Sequence, residues 1–327
     1  MTPDFDATLA AVATALKGAK SVVVCAHVDP DGDAVGSVLG LTLALRAIGV
    51  DAVPTLADSD HAPSTYSFLE GSELYRPVSQ LDAPDVFVAL DTPTWSRLGE
   101  AEPLARSASR VLAIDHHADD ARFGGIDLVD ASAAATSSII WRLLPALGAE
   151  RTPAIASACY VALMTDTGRF SYSNSTPRAL RDAADMIEAG ADAASLYRKV
   201  YEARTAASLA LLGRVLERIT LANGGRVVYS WMTSTDLDET GALPEEAENI
   251  IDVVRQIRAV DAAVMFKEED GARVKLSLRA KCPGLDVGAI ARSFGGGGHV
   301  AAAGASLDVP LDEAITTVLR LLPGAVA

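Results

Sequence analysis

The sequence predicts an α/β protein: a doubly wound parallel sheet over residues 1–190, a helical linker over 191–222, and a smaller α+β domain over 223–327. Three observations predict it. The chain has 327 residues, and single cores rarely grow beyond about 250–300. Its first half alternates short, continuously apolar runs with helical stretches, the pattern of parallel strands buried on both faces. After Asn223-Gly224-Gly225 the pattern changes to strands at hairpin spacing.

Each element follows in order. MTPDFDATLAAVATALKGAK carries apolar residues at helical spacing and lacks a basic segment followed by an apolar core, so it reads as a helix and not a signal peptide. Val22–Ala26, Val86–Leu90 and Arg110–Ile114 read as buried strands, each running into His or Asp. Ligands of open parallel sheets sit outside the carboxyl ends of the strands, where this chain places His27, Asp91 and Asp115-His116-His117. Ala133–Leu147 and Pro153–Met164 read as alanine-rich helices, the second leading into Thr165-Asp166-Thr167-Gly168. The Ser, Asn and Pro of residues 169–177 mark a loop. Helical patterns resume from Pro177 to Ile219, broken at Gly190, and supply the connector. Beyond it, Val227–Met232, Ala262–Lys267 and Arg273–Arg279 read as strands, the last two paired around Gly271, with helices over Glu245–Ile257, Asp286–Phe294 and Leu311–Leu322.

Composition narrows the function. With 28 Lys and Arg against 43 Asp and Glu the net charge is −15, and half the residues are hydrophobic. That excludes a disordered chain and argues against coating long nucleic acid, while small anionic substrates remain open. Three separated cysteines without a CxxC pair argue against a disulfide scaffold or structural zinc. No run of about 18 uncharged apolar residues occurs, so a cytoplasmic protein without a membrane partner is expected.

Four of the five histidines fall in polar or glycine-rich clusters, and His61, without a motif, reads as surface. In HVDPDGDAVGS, Pro30 and Gly32 force a turn and a helix is expected to begin near Asp33, so His27, Asp31 and Asp33 can converge on a metal. The same cluster can be an Asx-rich turn with Asp33 as helix cap. It is no EF-hand, since it follows a strand and lacks a glutamate at the twelfth position. Asp91 can end its strand as a plain turn residue, and the paired histidines can be surface residues. Taken together, Asp31, Asp33, Asp91, Asp166 and two or three imidazoles form an oxygen and nitrogen set suited to Mn²⁺, Mg²⁺ or Co²⁺. Two such cations about 3.5–4 Å apart can clamp attacking and leaving oxygens in phosphoryl transfer, and Asp91 is the candidate shared ligand.

AHVDPDGDAVGS (26–37), ALDT (89–92), DHH (115–117) and MTDTGRF (164–170) occur in the order of the DHH phosphoesterase superfamily, and FGGGGHVAAAG (294–304) resembles the signature of its DHH-associated C-terminal domain. The chain resembles that superfamily over almost its whole length. Within it, the two-domain length and MTDTGRFSYSNST resemble the nano-RNases, oligoribonuclease and pAp-phosphatase enzymes, some of which cleave cyclic dinucleotides. The resemblance implies two divalent cations, Mn²⁺ first, one held by His27, Asp31 and Asp91 and the other by Asp33, Asp91, His116 and Asp166. It implies that Asp115 orients a neighbouring histidine and that His117 faces the substrate phosphate or leaving oxygen. Substrates would be short oligoribonucleotides, pApA, cyclic di-AMP and 3′-phosphoadenosine 5′-phosphate, and the assembly a homodimer.

For substrate contacts the expectation is Arg279, a bidentate phosphate donor, with Gly296, Gly297, Gly298 and His299, where missing side chains let backbone N–H groups approach a phosphate or base. Residues 255–300 carry eight basic and five acidic side chains, a local +3. Three other readings share parts of the pattern. A RecJ-type exonuclease would be expected to add a basic, aromatic nucleic-acid domain, but aromatics are 5% here. A family inorganic pyrophosphatase would have no use for the GGGGH segment. A non-catalytic dinucleotide sensor would have no need of every candidate ligand.

Overall fold

Alternate residues of the apolar runs turn to opposite faces, and each face meets its own core. The computed structural model describes residues 5–59, 61–117, 123, 125–247, 250–269 and 273–324, in two compact units, Met1–Ala203 and Arg204–Ala327. The first contains α1 (Phe5–Lys17), β1 (Val22–Cys25), α2 (Gly32–Ala47), β2 (Ala52–Pro54), β3 (Val86–Leu90), α3 (Glu102–Ser107), β4 (Arg110–Asp115), β5 (Ile126–Val129), α4 (Thr136–Leu147), α5 (Pro153–Asp166), α6 (Pro177–Glu188) and α7 (Ala193–Tyr201). Its five strands are parallel in the order β2-β1-β3-β4-β5. Val22, Val24, Val86, Val88, Leu90, Leu112 and Ile114 pack into a core with α1, α2, α4 and α5, while Val23, Cys25, Phe87, Ala89 and Ala113 face Leu98, Leu104 and Ala105 on the other side. From the adjacent β1 and β3 the chain leaves in opposite directions, which opens a crevice at their carboxyl ends.

The strands missing from the sequence reading are those with weak signals. β2 is a three-residue edge strand ending in Pro54, and β5 is an edge strand carrying Asp127. Short, proline-bearing or charged edges protect a sheet from unwanted pairing and hide it from propensity.

Helices α2 and α5 approach closely through Gly32, Gly36 and Gly40. A Cβ added at Gly36 would lie 2.4 Å from the Ala158 carbonyl, one at Gly32 2.4 Å from Thr165 Oγ1, and one at Gly40 2.8 Å from Cys159 Sγ. The four-residue spacing puts all three glycines on one face.

The second unit contains α8 (Ala206–Glu217), β6 (Thr220–Ala222), β7 (Val227–Met232), α9 (Ser234–Thr240), α10 (Ile250–Val254), β8 (Ala262–Glu269), β9 (Arg273–Ala280), α11 (Val287–Arg292), β10 (Gly297–Gly298), β11 (Ala302–Leu307) and α12 (Leu311–Leu319). Its mixed sheet has the order β10-β11-β9-β8-β7-β6, with β7 and β8 parallel and β8 and β9 forming the expected antiparallel pair. Gly271 of their turn, and residues 248–249 within the helix expected over Glu245–Ile257, lie outside the described residues. β10 and β11 escaped the sequence reading because GG and AAGASL lack β-branched and aromatic residues.

The division falls inside the stretch expected to be a linker. Leu196 of α7 is buried in the core of the first unit, and Leu211 and Val215 of α8 in that of the second. Each helix buries its apolar face in its own unit, so the break comes at the non-helical residues between them. Among the described residues no helix is long and apolar enough to cross a membrane.

Gly36→Ala should destabilise the protein by about 1–3 kcal/mol, because the new methyl meets backbone that cannot move away. The midpoint of urea denaturation checks this; an unchanged midpoint would exclude the tight α2–α5 contact.

Candidate metal centre

The candidate ligands of the first unit converge at the β1–β3 crevice. β1 delivers the buried His27, whose Nδ1 lies 2.7 Å from the Val28 carbonyl. A carbonyl only accepts, so Nδ1 carries hydrogen and Nε2 is left to the site. Nε2 lies 3.4 Å from Asp91 Oδ2 and 4.0 Å from Asp31 Oδ1.

Helix α2 begins at Gly32, and its N-cap is Asp31, not Asp33: Asp31 Oδ1 accepts from Ala34 N at 3.0 Å. That frees Asp33, in the first turn, to point inward. It is 1% exposed and accepts from Thr136 N (2.7 Å), Ser137 N (3.2 Å) and Ser37 Oγ (2.9 Å). The N-cap of α4 is Ala135, which offers no side-chain acceptor; the carboxylate of Asp33 satisfies those helix-end amides instead.

Asp91 follows β3 with φ of +55°, a left-handed conformation uncommon outside glycine and enriched at functional sites. Its N–H continues the β4 ladder to the Ile114 carbonyl at 3.1 Å, which holds the strained residue in place. Oδ1 lies 3.4 Å from His116 Nε2 and accepts from Thr136 Oγ1 at 3.0 Å. The two oxygens of one buried carboxylate thus face different histidines.

At the end of β4, Asp115 Oδ1 accepts from the His117 backbone N–H at 3.0 Å and lies 2.7 Å from His117 Nδ1. His116 turns the other way: its Nδ1 is 3.3 Å from the Ala133 carbonyl, and its Nε2 is 3.8 Å from Asp33 Oδ2 and 3.7 Å from Asp166 Oδ2. Asp166, which ends α5, is held by Asn174, whose Nδ2 donates to the Asp166 carbonyl (3.2 Å) and to its Oδ2 (3.3 Å).

Among the described residues of the first unit, three sets of ligand atoms each lie within 4.8 Å of one another: His27, Asp31 and Asp91; Asp33, Asp91 and His116; Asp91, Asp115 and His117. Asp91 belongs to all three.

Burial drives the electrostatics. It pushes Asp33 up to about 7, with the Asp91 charge adding to the effect, and holds Asp166 well above the carboxylate range. Burial opposes ionisation of Asp91 too, but hydrogen bonds from His116 and His27 outweigh it and keep that acid well below the usual range. Against their own burial, Asp91 lifts His27 to about 9 and His116 well above its ordinary value. The neighbouring thiols take no part, since burial pushes Cys159 up to about 12 and Cys25 further. Without cations the site stores protons to offset its crowded carboxylates. Oxygen and imidazole donors with protonated thiols fit hard or borderline divalent cations.

In the second unit Arg279 lies on β9 opposite Ala302 of β11. Its Nε is 3.5 Å from Asp252 Oδ1 and its NH1 donates to the Leu278 carbonyl at 3.1 Å, so part of its donor fork is engaged within the unit. The glycine run forms a tight hairpin that engages part of the expected row of amides within the unit. The N–H groups of Gly295, Gly296 and His299 donate to the carbonyls of Arg292, Ala291 and Ala302. A Cβ at Gly296 would lie 2.2 Å from the Gly304 carbonyl and one at Gly298 2.6 Å from the Ala302 carbonyl, whereas Gly297 faces open space. His61 is exposed, as expected.

The DHH family N-terminal domain matches residues 21–164 and the DHHA1 domain residues 224–324. A bifunctional oligoribonuclease and PAP phosphatase NrnA of Thermus thermophilus is 36% identical, over 94% of this chain and 91% of its own. The chain belongs to the DHH family of phosphoesterases. The Bacillus subtilis protein of the same name is 28% identical, over 88% of this chain and 89% of its own. A crystal structure of an exopolyphosphatase-related protein from Bacteroides fragilis shares the DHH/DHHA1 fold, with a TM-score of 0.88, 24% identity, and coverage of 97% of this chain and 96% of its own.

Sequence reasoning missed Thr136, Ser137 and Asn174. Thr136-Ser137-Ser138 opening an apolar helix was a legible start signal; that its amides face a carboxylate from another helix was not.

Stability without cations should fall as pH rises. Asp33 is protonated in the fold up to about 7 and His27 up to about 9, each above its ordinary value of about 4 or 6.5. Their contribution is complete below those ordinary values and lost as pH climbs through the raised ones. The melting temperature of chelator-treated protein should decline from pH 5 to 9, and added Mn²⁺ should flatten that decline; a rise in chelator over this range would contradict the assignment.

Proposed function

We propose that this DHH-family enzyme hydrolyses phosphoester bonds of short oligoribonucleotides, linear dinucleotides such as pApA, and 3′-phosphoadenosine 5′-phosphate, with Mn²⁺ as its cation. The observation that carries the reading is Asp91, whose Oδ2 lies 3.4 Å from His27 Nε2 and whose Oδ1 lies 3.4 Å from His116 Nε2. One carboxylate so placed can serve two cation sites, the first completed by His27 and Asp31, the second by Asp33, His116 and Asp166. The names of the relatives supply the substrate class.

Two divalent cations, when bound, supply Lewis acidity and a lowered water pKa for in-line displacement at phosphorus. The residues around them have separate tasks. Asp115 fixes the Nδ1–H of His117, which leaves Nε2 of that ring as the atom that meets the substrate. Burial opposes a charge on His117, but the Asp115 hydrogen bond and the Asp91 charge raise its pKa, which favours a proton on Nε2 that can stabilise a phosphoryl oxygen or pass to the leaving oxygen. In the second unit, Arg279, Gly297 and His299 are the proposed substrate contacts, supported by the local +3 charge and the open face of Gly297.

Asp91→Ala should leave the fold intact and lower hydrolysis of pApA by more than the roughly 10–100-fold typical of losing a group outside the ligand set. Near-normal turnover would remove Asp91 as the shared ligand. The same assay run with 3′-phosphoadenosine 5′-phosphate, cyclic di-AMP, a long single strand and pyrophosphate separates the proposal from an exonuclease, a pyrophosphatase or a silent sensor. Arg279→Ala and His299→Ala should raise KM without weakening Mn²⁺ binding; loss of cation affinity would count against their role.

A further inference from the structure

We propose that Thr136 is a positioning residue that holds the two oxygens of Asp91 in their separate directions, one toward each cation site. The inference rests on the two-cation reading above and adds to it a residue outside the ligand set.

Thr136 is fully buried at the start of α4. Its backbone N–H donates to Asp33 Oδ2 at 2.7 Å and its hydroxyl donates to Asp91 Oδ1 at 3.0 Å. One residue therefore ties together the carboxylates that follow β3 and open α2. The threonine hydroxyl is the donor and the Asp91 carboxylate oxygen the acceptor.

His27 and His116 reach Asp91 through Nε2, at 3.4 Å each, and His117 Nδ1, 2.7 Å from Asp115, lies 3.5 Å from Asp91 Oδ1. A ring nitrogen that turns its lone pair to a cation no longer donates to the carboxylate. A threonine hydroxyl loses nothing on loading, so its bond persists and keeps Oδ1 on the His116 side while Oδ2 stays with His27.

Thr136→Val tests this. It keeps the β-branched shape and the backbone N–H to Asp33 and removes only the hydroxyl. Calorimetric titration with Mn²⁺ should show two binding steps in the wild type. In the variant the step on the His116 side, identified as the one also lost in His116→Ala, should weaken about 10–100-fold while the other changes by less than about threefold. Thr136→Ser should restore both, a rescue that depends on the hydroxyl and not on shape. If the valine variant does not fold, Thr136→Ala measured against Thr136→Ser isolates the same group. Two steps of wild-type affinity in either hydroxyl-free variant overturn the inference. A wild type that takes up fewer than two cations overturns the two-cation reading itself.

Discussion

The contact between α2 and α5 sets the geometry of everything at the crevice. Gly32, Gly36 and Gly40 let the two helices approach until their backbones touch, and a single methyl at Gly36 would lie 2.4 Å from the Ala158 carbonyl. Asp33 occupies the first turn of one helix and Asp166 the last residue of the other. Were the helices at an ordinary separation, about 8–10 Å between axes, these carboxylates would not both reach the Nε2 of His116. On the facing side of α5, Ala158 and Ala162 meet Gly36: small side chains shorten the distance, and the shorter distance helps assemble a cluster of acids.

Such a cluster is costly to build. Buried carboxylates that repel one another lower stability unless donors or counter-charges offset them. The fold offsets them with fixed donors: two amides from α4 and the Ser37 hydroxyl on Asp33, the Thr136 hydroxyl on Asp91, and the Asn174 amide on Asp166. The rest is met by protons on Asp33, Asp166, His27 and His116. A site that stores protons where its donors suit divalent cations is prepared for an exchange, and the left-handed backbone of Asp91 is part of what holds it ready.

What the sequence made legible was the set of residues; what it concealed was how they are held. The three continuous strands, their polar ends and the convergence of His27, Asp33, Asp91, His116 and Asp166 could all be anticipated from periodicity and motif. Short edge strands such as β2 and β5, and the alanine-glycine strand β11, could not, because their pairing depends on a neighbouring strand and not on their own side chains. The same holds for Asp31 as the N-cap of α2. Both Asp31 and Asp33 are cap-forming residues two positions apart, and the choice between them is decided by amides 103 and 104 residues downstream that claim Asp33. The glycine run at 295–298 was legible only in part, for a related reason. Its missing side chains suggested room for a ligand, whereas at Gly296 and Gly298 they make room for the chain's own carbonyls.

The three histidines of the crevice divide by what holds Nδ1. For His27 and His116 it is a backbone carbonyl, of Val28 and Ala133. A carbonyl fixes the tautomer and aims Nε2 without adding a charge that would retain a proton there, which suits a neutral ligand. For His117 it is the carboxylate of Asp115 at 2.7 Å, which favours the imidazolium and so suits an encounter with phosphate. Consecutive residues on one strand end, with rings nearly edge to face at 4.8 Å, are thereby given different chemistry by their second nitrogen. On the proposed function, Asp115 gives the third residue of the triplet its orientation and, with Asp91, the charge that separates its proposed task from that of the second.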